Sequence, residues 1–266
     1  IFKEENPSAL MFVSVLGLVP DMDRLEALCM RYDVALLEDT CESMGCEYKG
    51  KKLGTFGMMS TFSTYFGHHI STIEGGFIST DDFQLYELLL SLRSHGWDRD
   101  LSKETQKKLQ KEWNVSEFDS MYTFYYPGYN LRSTDLQAYI GLGQIDKLRN
   151  WGIKRATNFD LYQKNIKNDY WKVNPQSDSF ISNFAYPVIH PNRDKIVKEL
   201  QKNNIEVRPM ICGSMGTQPF YVKKYGRLEL PNVSIIDKYG FYVPNHPHLT
   251  IEELYKIINI VNKGVK

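Results

Sequence analysis

ALMFVSVL at residues 9–16, DMDRLEALCMRY at 21–32 and VALL at 34–37 follow one another near the start of the chain. The first and third segments are short apolar runs, which are typical of buried strands, whereas the middle segment places apolar residues at helical spacing behind Asp21. This order of strand, helix and strand predicts a parallel crossover unit. The sequence therefore predicts the α/β fold class, with a ligand site at the carboxyl ends of the strands.

Acidic and hydroxyl residues follow the second predicted strand directly, and they include Asp39, Thr40 and Glu42. One interpretation is that Asp39 or Thr40 caps a following helix. The other is that a half-buried carboxylate at the end of a strand holds the cationic ring nitrogen of a bound cofactor. On this second interpretation, Glu42 faces the same pocket as Asp39.

Strands and helices alternate in the rest of the chain. Further strands are predicted at 60–65, 76–80, 184–189 and 205–208, and further helices from Asp81 and over 193–201 and 251–261. Residues 103–117 are so polar that they predict a solvated, mobile segment. A long helix is predicted over 135–167, with buried positions at Leu136, Ile140, Leu142 and Ile145.

The long helix divides the chain into two predicted domains, since such helices often join domains. We expect a large cofactor-binding domain at 1–145 and a small C-terminal α/β domain at 146–266. The chain begins only one crossover unit before the acidic cluster, and a doubly wound domain needs more strands than this. We therefore expect that the N-terminal part of the large domain is missing from this sequence.

The composition restricts the class of partner. Thirty-two basic residues balance 32 acidic ones, so no general field attracts nucleic acid or an anionic membrane. No apolar run is long enough to span a bilayer. The four cysteines lack the paired spacing of a zinc or redox site, and we expect no metal. We expect reduced thiols and a cytoplasmic location.

The loop STYFGHHISTIEGG at 63–76 carries the most chemical information. It combines His68 and His69 with hydroxyl residues and a pair of glycines after a predicted strand, which is typical of a preorganised polar site. A histidine pair can also be purely structural. Because successive residues of an extended chain face opposite sides, we expect His69 to point away from the site of His68.

Several motifs together resemble the DegT/DnrJ/EryC1/StrS family of nucleotide-sugar aminotransferases, through nearly the whole chain. The matching segments are Glu38-Asp39, the turn at 48–57, Phe62-Ser63, Glu74-Gly75-Gly76 and GYNLR at 128–132. The resemblance implies the fold of pyridoxal-phosphate-dependent aspartate aminotransferases, type I. Five residues after Ser63, where the family has the lysine that bonds to the cofactor, this chain has His68.

Loss of that lysine, together with GHHISTIEGG at 67–76 and RSHGWDRD at 93–100, is similar to the sugar 3-dehydratase branch of the family. The resemblance implies pyridoxal phosphate and its pyridoxamine form as cofactors, and L-glutamate as amino donor. It implies dehydration at carbon 3 of a nucleotide-linked 4-keto-6-deoxy sugar, GDP-4-keto-6-deoxymannose being the expected substrate. The product would be a 3,6-dideoxy-4-keto sugar of the colitose type for lipopolysaccharide.

The resemblance also implies roles for five cofactor-site residues. Asp39 matches the carboxylate that keeps the ring nitrogen protonated, and Glu42 matches the side chain beside the ring hydroxyl. Ser63 matches a phosphate ligand, and Asn130 matches a residue that reaches the phosphate in a neighbouring subunit, which implies a homodimer with shared sites. His68 would act as general base and acid, because an imidazole titrates near neutrality. Local turn hydrogen bonds are the alternative for Ser63 and Asn130.

Three more residues are candidates for substrate binding. His95 and Arg99 lie in the motif that is similar to the dehydratase branch, so we expect them near the sugar or the glutamate carboxylate, with His95 as a second catalytic candidate. A surface ion pair is the alternative for Arg99. Arg208 ends a predicted strand, from which a guanidinium can bind the carboxylate of glutamate or a sugar phosphate.

Three other functions fit parts of the sequence. A related CDP-sugar dehydrase with an iron–sulfur cluster would need grouped cysteines, and Cys212 stands alone in the C-terminal half. A nucleotide-sugar 4-aminotransferase would need a lysine from elsewhere, such as Lys49, Lys51 or Lys52. A noncatalytic, truncated member of the same fold is the third alternative.

Overall fold

The computed structural model describes residues 2–265, within which strands and helices alternate along the chain. The strands are β1 (Ala9–Val13), β2 (Ala35–Asp39), β3 (Glu47–Tyr48), β4 (Lys51–Lys52), β5 (Met59–Ser63), β6 (Gly76–Ser79), β7 (Ser179–Phe180), β8 (Ala185–Ile189), β9 (Arg208–Pro209) and β10 (Gly240–Pro244). The helices are α1 (Phe2–Glu5), α2 (Met22–Arg31), α3 (Phe83–Arg93), α4 (Lys103–Trp113), α5 (Glu117–Ser120), α6 (Asp135–Ile145), α7 (Leu148–Asn165), α8 (Arg193–Lys202), α9 (Pro219–Tyr225), α10 (Pro231–Tyr239) and α11 (Ile251–Gly264).

The first sheet has the strand order β1-β2-β5-β6. β1 pairs with β2 and β2 pairs with β5 in parallel, whereas β6 runs antiparallel to β5. Helix α2 connects the first two strands and begins at Met22, with the Asp21 carboxylate accepting a hydrogen bond from the Arg24 amide at 3.1 Å. The α/β fold class and the parallel crossover unit are confirmed. The carboxyl ends of β2 and β5 lie side by side.

The first strand differs from its prediction in length and in burial. β1 ends at Val13, and Val15–Gly17 forms a 3-10 turn in which Leu16 has a positive φ of 50°. The prediction of a buried strand was wrong, because β1 is hydrogen-bonded to a neighbour on one side only within the described residues. The side chains of Met11 and Val13 are consequently exposed.

Two predictions for the middle of the chain also differ from the structure. Residues 103–117 were expected to be mobile, but α4 is a regular helix that Ser102 caps and that buries Leu109. The expected buried face of α6 is turned outward, with Leu136 67% exposed and Leu142 69% exposed. Periodicity identifies an apolar face correctly, but it does not identify what covers that face.

Two smaller sheets complete the fold. Strands β8, β10 and β9 form an antiparallel sheet in the C-terminal half, and β3 pairs with both β4 and β7. The first sheet lies within 1–145 and the β8-β10-β9 sheet within 146–266, while the β3–β7 pairing joins the two halves. The division into two domains at residue 145 stays a prediction. None of the helices in the described part of the chain is both long and apolar enough to cross a membrane.

Candidate active site

The two carboxylates at the end of β2 face different surroundings. Glu38 is buried and accepts hydrogen bonds from the amides of Gly54, Phe56 and Gly57 at 2.7, 2.7 and 2.8 Å. Its side chain therefore fixes the turn that follows β4. Asp39 points to the opposite side of the strand, where it is half-buried and accepts from the Cys41 amide at 3.1 Å. Asp39 is thus the carboxylate that is left to bind a ligand.

Glu42 lies next to Asp39 and connects this strand end to the turn after β1. One carboxylate oxygen of Glu42 accepts a hydrogen bond from the Leu16 amide at 2.5 Å. Burial raises the pKa of Glu42, and the negative charge of Asp39 raises it further. Glu42 does not cap a following helix, because the amide that it binds belongs to the turn after β1, 26 residues earlier in the chain.

His68 lies between two aromatic rings. Its imidazole stacks on Phe184 with ring centroids 5.3 Å apart, and it meets the edge of Tyr65 at 5.6 Å. Burial lowers the pKa of His68, and the negative charge of Asp39 opposes that shift. The Nδ1 atom of His68 is buried without a hydrogen-bond partner among the described residues. The ring is therefore neutral near pH 7, and one of its nitrogens has no hydrogen-bond partner among the described residues.

His69 is buried and is bonded to the C-terminal half of the chain, although its ring contacts the same Phe184 side chain as that of His68. Its imidazole is 2% exposed, and its Nε2 atom lies 2.5 Å from the carbonyl oxygen of Ser182. Burial lowers the pKa of His69 to about 3, with a contribution from the positive charge of Arg155. His69 is therefore a neutral, structural histidine at every pH at which the protein would work.

The loop that carries both histidines is attached to helix α6. Gln144 binds the main chain of Ser71 twice, accepting from its amide at 2.9 Å and donating to its carbonyl at 2.5 Å. Two helical turns earlier, Gln137 donates to the carbonyl of Glu74 at 2.6 Å. These side-chain contacts attach the histidine loop to one face of α6, and the opposite face of this helix is exposed.

Ser63 ends β5 at the entrance to this loop. Its Oγ atom accepts a hydrogen bond from the Tyr65 amide at 3.1 Å, which is the local turn contact that sequence reasoning gave as an alternative. That contact uses only an acceptor lone pair of the hydroxyl group. The hydroxyl hydrogen remains free to be donated to an anionic oxygen.

Arg208 enters the same region from β9. It pairs across the sheet with Tyr242 of β10, and its Nη2 atom lies 2.6 Å from the carboxylate of Glu206. The Glu206 carboxylate raises the pKa of Arg208, and Tyr242 and Tyr65 add smaller effects. Arg208 is more than half exposed, so a carboxylate ligand would have access to it.

Asp39, Glu42, His68 and Arg208 therefore form one group, which we call the strand-end cluster. Two aromatic residues connect the members of this cluster. The ring of Phe184, which stacks on His68, lies 6.4 Å from the ring of Tyr242. The charges of Glu42 and Arg208 both act on Tyr242. Sequence reasoning missed Tyr65, Phe184 and Tyr242. No local signal marks the last two, because strand periodicity shows that they are half-buried but not what they contact.

His95, Arg99 and Asn130 form a second group, the tryptophan cluster. The imidazole of His95 lies 4.6 Å from the ring of Trp97, and the Arg99 guanidinium stacks on the same ring at 3.7 Å. Asn130 is exposed and forms an isolated bridge with Ser94. Among the described residues, no hydrogen bond or ring contact joins this cluster to the strand-end cluster. Arg99 also donates to the Met121 carbonyl oxygen from its Nε and Nη2 atoms, so hydrogen bonds to the main chain, and not the ion pair given as an alternative, hold its side chain.

The strand-end cluster fits a pyridine cofactor. It offers a half-buried carboxylate for a ring nitrogen and a neutral imidazole with an unpaired nitrogen, and Ser63 at the end of β5 adds a hydroxyl group for a phosphate. All three lie at the carboxyl ends of parallel strands or in the loop that follows. Among residues 2–265, no group of three or more histidine, cysteine, aspartate or glutamate side chains could hold a metal ion.

Comparison with known proteins gives consistent matches. The model of the DegT/DnrJ/EryC1/StrS aminotransferase family matches residues 3–262. The GDP-4-keto-6-deoxy-D-mannose 3-dehydratase of Yersinia pseudotuberculosis is 33% identical over 267 residues, which cover 97% of this chain and 67% of that protein. The lipopolysaccharide biosynthesis protein RfbH of Salmonella typhimurium is 28% identical over 273 residues, with 96% of this chain and 62% of that protein covered.

A solved structure gives the same result. The E. coli GDP-4-keto-6-deoxy-D-mannose-3-dehydratase with bound hydrated PLP matches with a TM-score of 0.84 and 31% sequence identity. The match covers 97% of this chain and 68% of that one. The chain thus spans about two thirds of the length of the relatives that it matches.

Proposed function

Because this chain belongs to the DegT/DnrJ/EryC1/StrS aminotransferase family, we propose that it dehydrates a nucleotide-linked 4-keto-6-deoxy sugar at carbon 3, with pyridoxal phosphate as cofactor. Its predicted type I aminotransferase fold is that of the family. GDP-4-keto-6-deoxymannose is the proposed substrate, since two curated relatives above 30% identity carry the name of its 3-dehydratase. The proposed product is a 3,6-dideoxy-4-keto sugar. We propose that this sugar is used in lipopolysaccharide synthesis.

One observation carries this proposal. A half-buried imidazole, His68, on which the charge of Asp39 acts, occupies the position where the family has its cofactor lysine. Histidine cannot make the covalent bond that lysine makes with the cofactor, but it can still move a proton. The site therefore keeps the proton-transfer function of the lysine and loses the covalent one.

The cofactor, when bound, supplies an electron-accepting pyridinium ring and, in its amine form, a nitrogen that bonds to the keto carbon of the sugar. Asp39 would hold the proton on the ring nitrogen, and Glu42 would lie beside the ring hydroxyl. Ser63 would donate its hydroxyl hydrogen to the phosphate. His68 would take and return protons through its ring, because the lowered pKa favours the neutral imidazole, in which one of the two nitrogens is free to accept a proton.

The substrate and amino donor would be bound by arginines and by the tryptophan cluster. Arg208 would exchange the carboxylate of Glu206 for that of L-glutamate, since both are carboxylates that a guanidinium binds through two nitrogens. His95 and Arg99 would contact the nucleotide sugar. His95 remains a second catalytic candidate, although no contact in this structure links it to His68.

The exposed face of α6 supports a homodimer with shared active sites. Leu136, Tyr139, Leu142 and Ile145 share this face, and each is more than half exposed in the single chain. Contiguous apolar surfaces of this kind usually mark protein interfaces. A second copy that covers this face would place the exposed Asn130, five residues before the start of α6, near a site of its partner. We also propose a cytoplasmic location, where nucleotide sugars are made.

The 4-aminotransferase alternative finds less support. Lys49 lies 2.5 Å from Asp23, Lys52 lies 2.9 Å from Glu47, and the Lys51 ammonium stacks over Phe56. All three lysines lie in the β3–β4 hairpin, and within the described residues none of them contacts the strand-end cluster. A cofactor bond to any of them would require the hairpin to open.

An absorbance titration with pyridoxal phosphate tests the proposal. A saturable cofactor band that L-glutamate converts, with no gain of mass after borohydride reduction, is the expected result. Incubation with GDP-4-keto-6-deoxymannose should then give a product that lacks the oxygen at carbon 3, as seen by mass spectrometry. A lysine adduct would favour the aminotransferase, and a chain that does not bind the cofactor would favour the noncatalytic alternative.

A further inference from the structure

Arg155 of helix α7 is a buried cation without a counter-ion. Its side chain is 3% exposed, and its Nε and Nη1 atoms have no hydrogen-bond partner among the described residues. Burial lowers the pKa of Arg155 to about 10, which leaves the guanidinium charged at neutral pH. An unpaired buried charge destabilises the folded state, so its presence calls for a functional reason.

The one hydrogen bond from this guanidinium goes to the residue that follows His68. The Nη2 atom of Arg155 donates to the carbonyl oxygen of His69 at 3.3 Å. The carbonyl of Arg155 in turn accepts from the side chain of Asn245 at 3.0 Å, and the same amide nitrogen donates to Asn183. Arg155 therefore connects the histidine loop to a fixed frame made of α7, Asn183 and Asn245.

His69 makes a second connection to the same frame. A carbonyl oxygen can only accept, so the contact of His69 Nε2 with the Ser182 carbonyl requires the tautomer with hydrogen on Nε2. Two residues further on, the Phe184 ring stacks on His68 and meets His69 edge-on, with centroids 6.0 Å apart. The segment 182–184 thus contacts both histidines, one through its main chain and the other through an aromatic ring.

We propose that His69 and Arg155 are positioning residues for His68, which together hold the main chain at 68–69 against the segment 182–184. Without the side chains of His69 and Arg155, the His68 imidazole would no longer be held at a fixed distance from Phe184 and from Asp39. Misplacement of a reacting group by about 1 Å can cost about 100-fold in rate. The value of this role for catalysis rests on the function that we propose for His68.

His69→Met and His69→Gln form a matched pair of variants. Glutamine can place its amide nitrogen where the histidine has Nε2, so it keeps the donor to Ser182, whereas methionine removes the donor at similar volume. NMR titration of His68 in isotope-labelled, cofactor-free protein gives a readout that needs no activity. Asp39 and His69 interact electrostatically with His68, and the ring of Tyr65 contacts it.

We expect His69→Met to move the titration midpoint of His68 upward, toward the ordinary histidine value, because looser packing on Phe184 reduces its burial. His69→Gln should restore most of the original midpoint, and His248→Gln on the surface controls for the loss of a histidine. An unchanged midpoint in a folded His69→Met protein would overturn the proposal. If His69→Met does not fold, His69→Asn replaces it, since its shorter amide cannot reach Ser182. Equal midpoints in the Asn and Gln variants would then overturn it.

Arg155→Met separates positioning from stability. Methionine keeps much of the apolar stem and removes the unpaired charge, so the variant should unfold at the same or higher urea concentration than the original protein. Conversion of bound cofactor by glutamate should nevertheless slow by about tenfold or more. An unchanged conversion rate in this variant would refute the role of Arg155. If the original protein shows no conversion at all, the proposed function fails, and the His68 titration still decides the positioning role.

Discussion

The imidazole of His68 and the ring of Phe184 stack with centroids 5.3 Å apart and planes inclined by 29°. His68 belongs to the loop after the first sheet, and Phe184 immediately precedes a strand of the C-terminal sheet. The proposed base is therefore oriented by a residue from the other half of the chain. The stacking also buries the imidazole, which lowers its pKa and keeps it neutral at physiological pH.

Replacement of His68 by lysine should restore covalent cofactor binding. We expect His68→Lys to give a stable adduct with pyridoxal phosphate after borohydride reduction, visible as one added cofactor mass per chain. Dehydration should fall by about 100-fold or more, because the imidazole that transfers protons is lost. His248→Lys, at an exposed position, is the control and should give no adduct at this site. Undiminished dehydration by His68→Lys would contradict the role of His68.

Asp39→Asn should weaken cofactor binding. An amide cannot stabilise the protonated ring nitrogen as a carboxylate does, and hydrogen bonds to charged groups contribute about 1.5–3 kcal/mol. We expect the cofactor dissociation constant to rise by about 10- to 100-fold in an absorbance titration. Asp33→Asn, in the exposed turn before β2, should leave the affinity unchanged. Equal affinity in both variants would mean that Asp39 is not the ring partner.

Glu38→Gln should destabilise the fold without acting on the cofactor directly. The carboxylate accepts three amide hydrogen bonds, and glutamine offers only one acceptor oxygen in its place. The free energy of unfolding in urea should fall by about 2–4 kcal/mol. Glu47→Gln breaks only the ion pair with Lys52 near the surface and should cost less than about 1 kcal/mol. Similar losses in the two variants would refute the anchoring role of Glu38.

His69 should make stability fall in mild acid. Its pKa is about 3 in the folded chain and near 6.5 when unfolded, so between these values the unfolded chain binds one more proton. Stability from this group is complete above pH 6.5 and decreases by about 1.4 kcal/mol for each pH unit below it. Urea unfolding of His69→Gln from pH 7 to pH 5 should show a shallower dependence than the original protein, by about one proton. Identical slopes would place His69 outside the core.

The exposed face of α6 should mediate self-association. We expect sedimentation to detect dimers of the original chain and monomers of Leu142→Glu, because this substitution puts a charge in the centre of the face. Met30→Glu, on an exposed position of α2, is the matched control and should leave the dimer intact. A dimeric Leu142→Glu variant would show that another surface mediates the association.

Local patterns accounted for much of the fold and for the residue types of the site. The crossover unit β1-α2-β2, the cap at Asp21 and helices α8 and α11 were predicted from spacing alone, since these depend on neighbours within a few residues. Glu38 shows where this reasoning stopped. The sequence marks it as one acid among several, and only the folded turn at 54–57 shows that its carboxylate is an anchor.

By itself, the sequence determined the fold class, the acidic strand end and the histidine in the place of the family's lysine, because these are properties of residue type and order. Tertiary structure alone decided which side chains meet. It stacked Phe184 on His68 and bonded Arg155 to the carbonyl of His69. It also brought Tyr242 within electrostatic range of both Glu42 and Arg208. Burial, and hence each pKa shift in the site, depends on contacts between residues that are far apart in the chain, and no local period encodes those contacts.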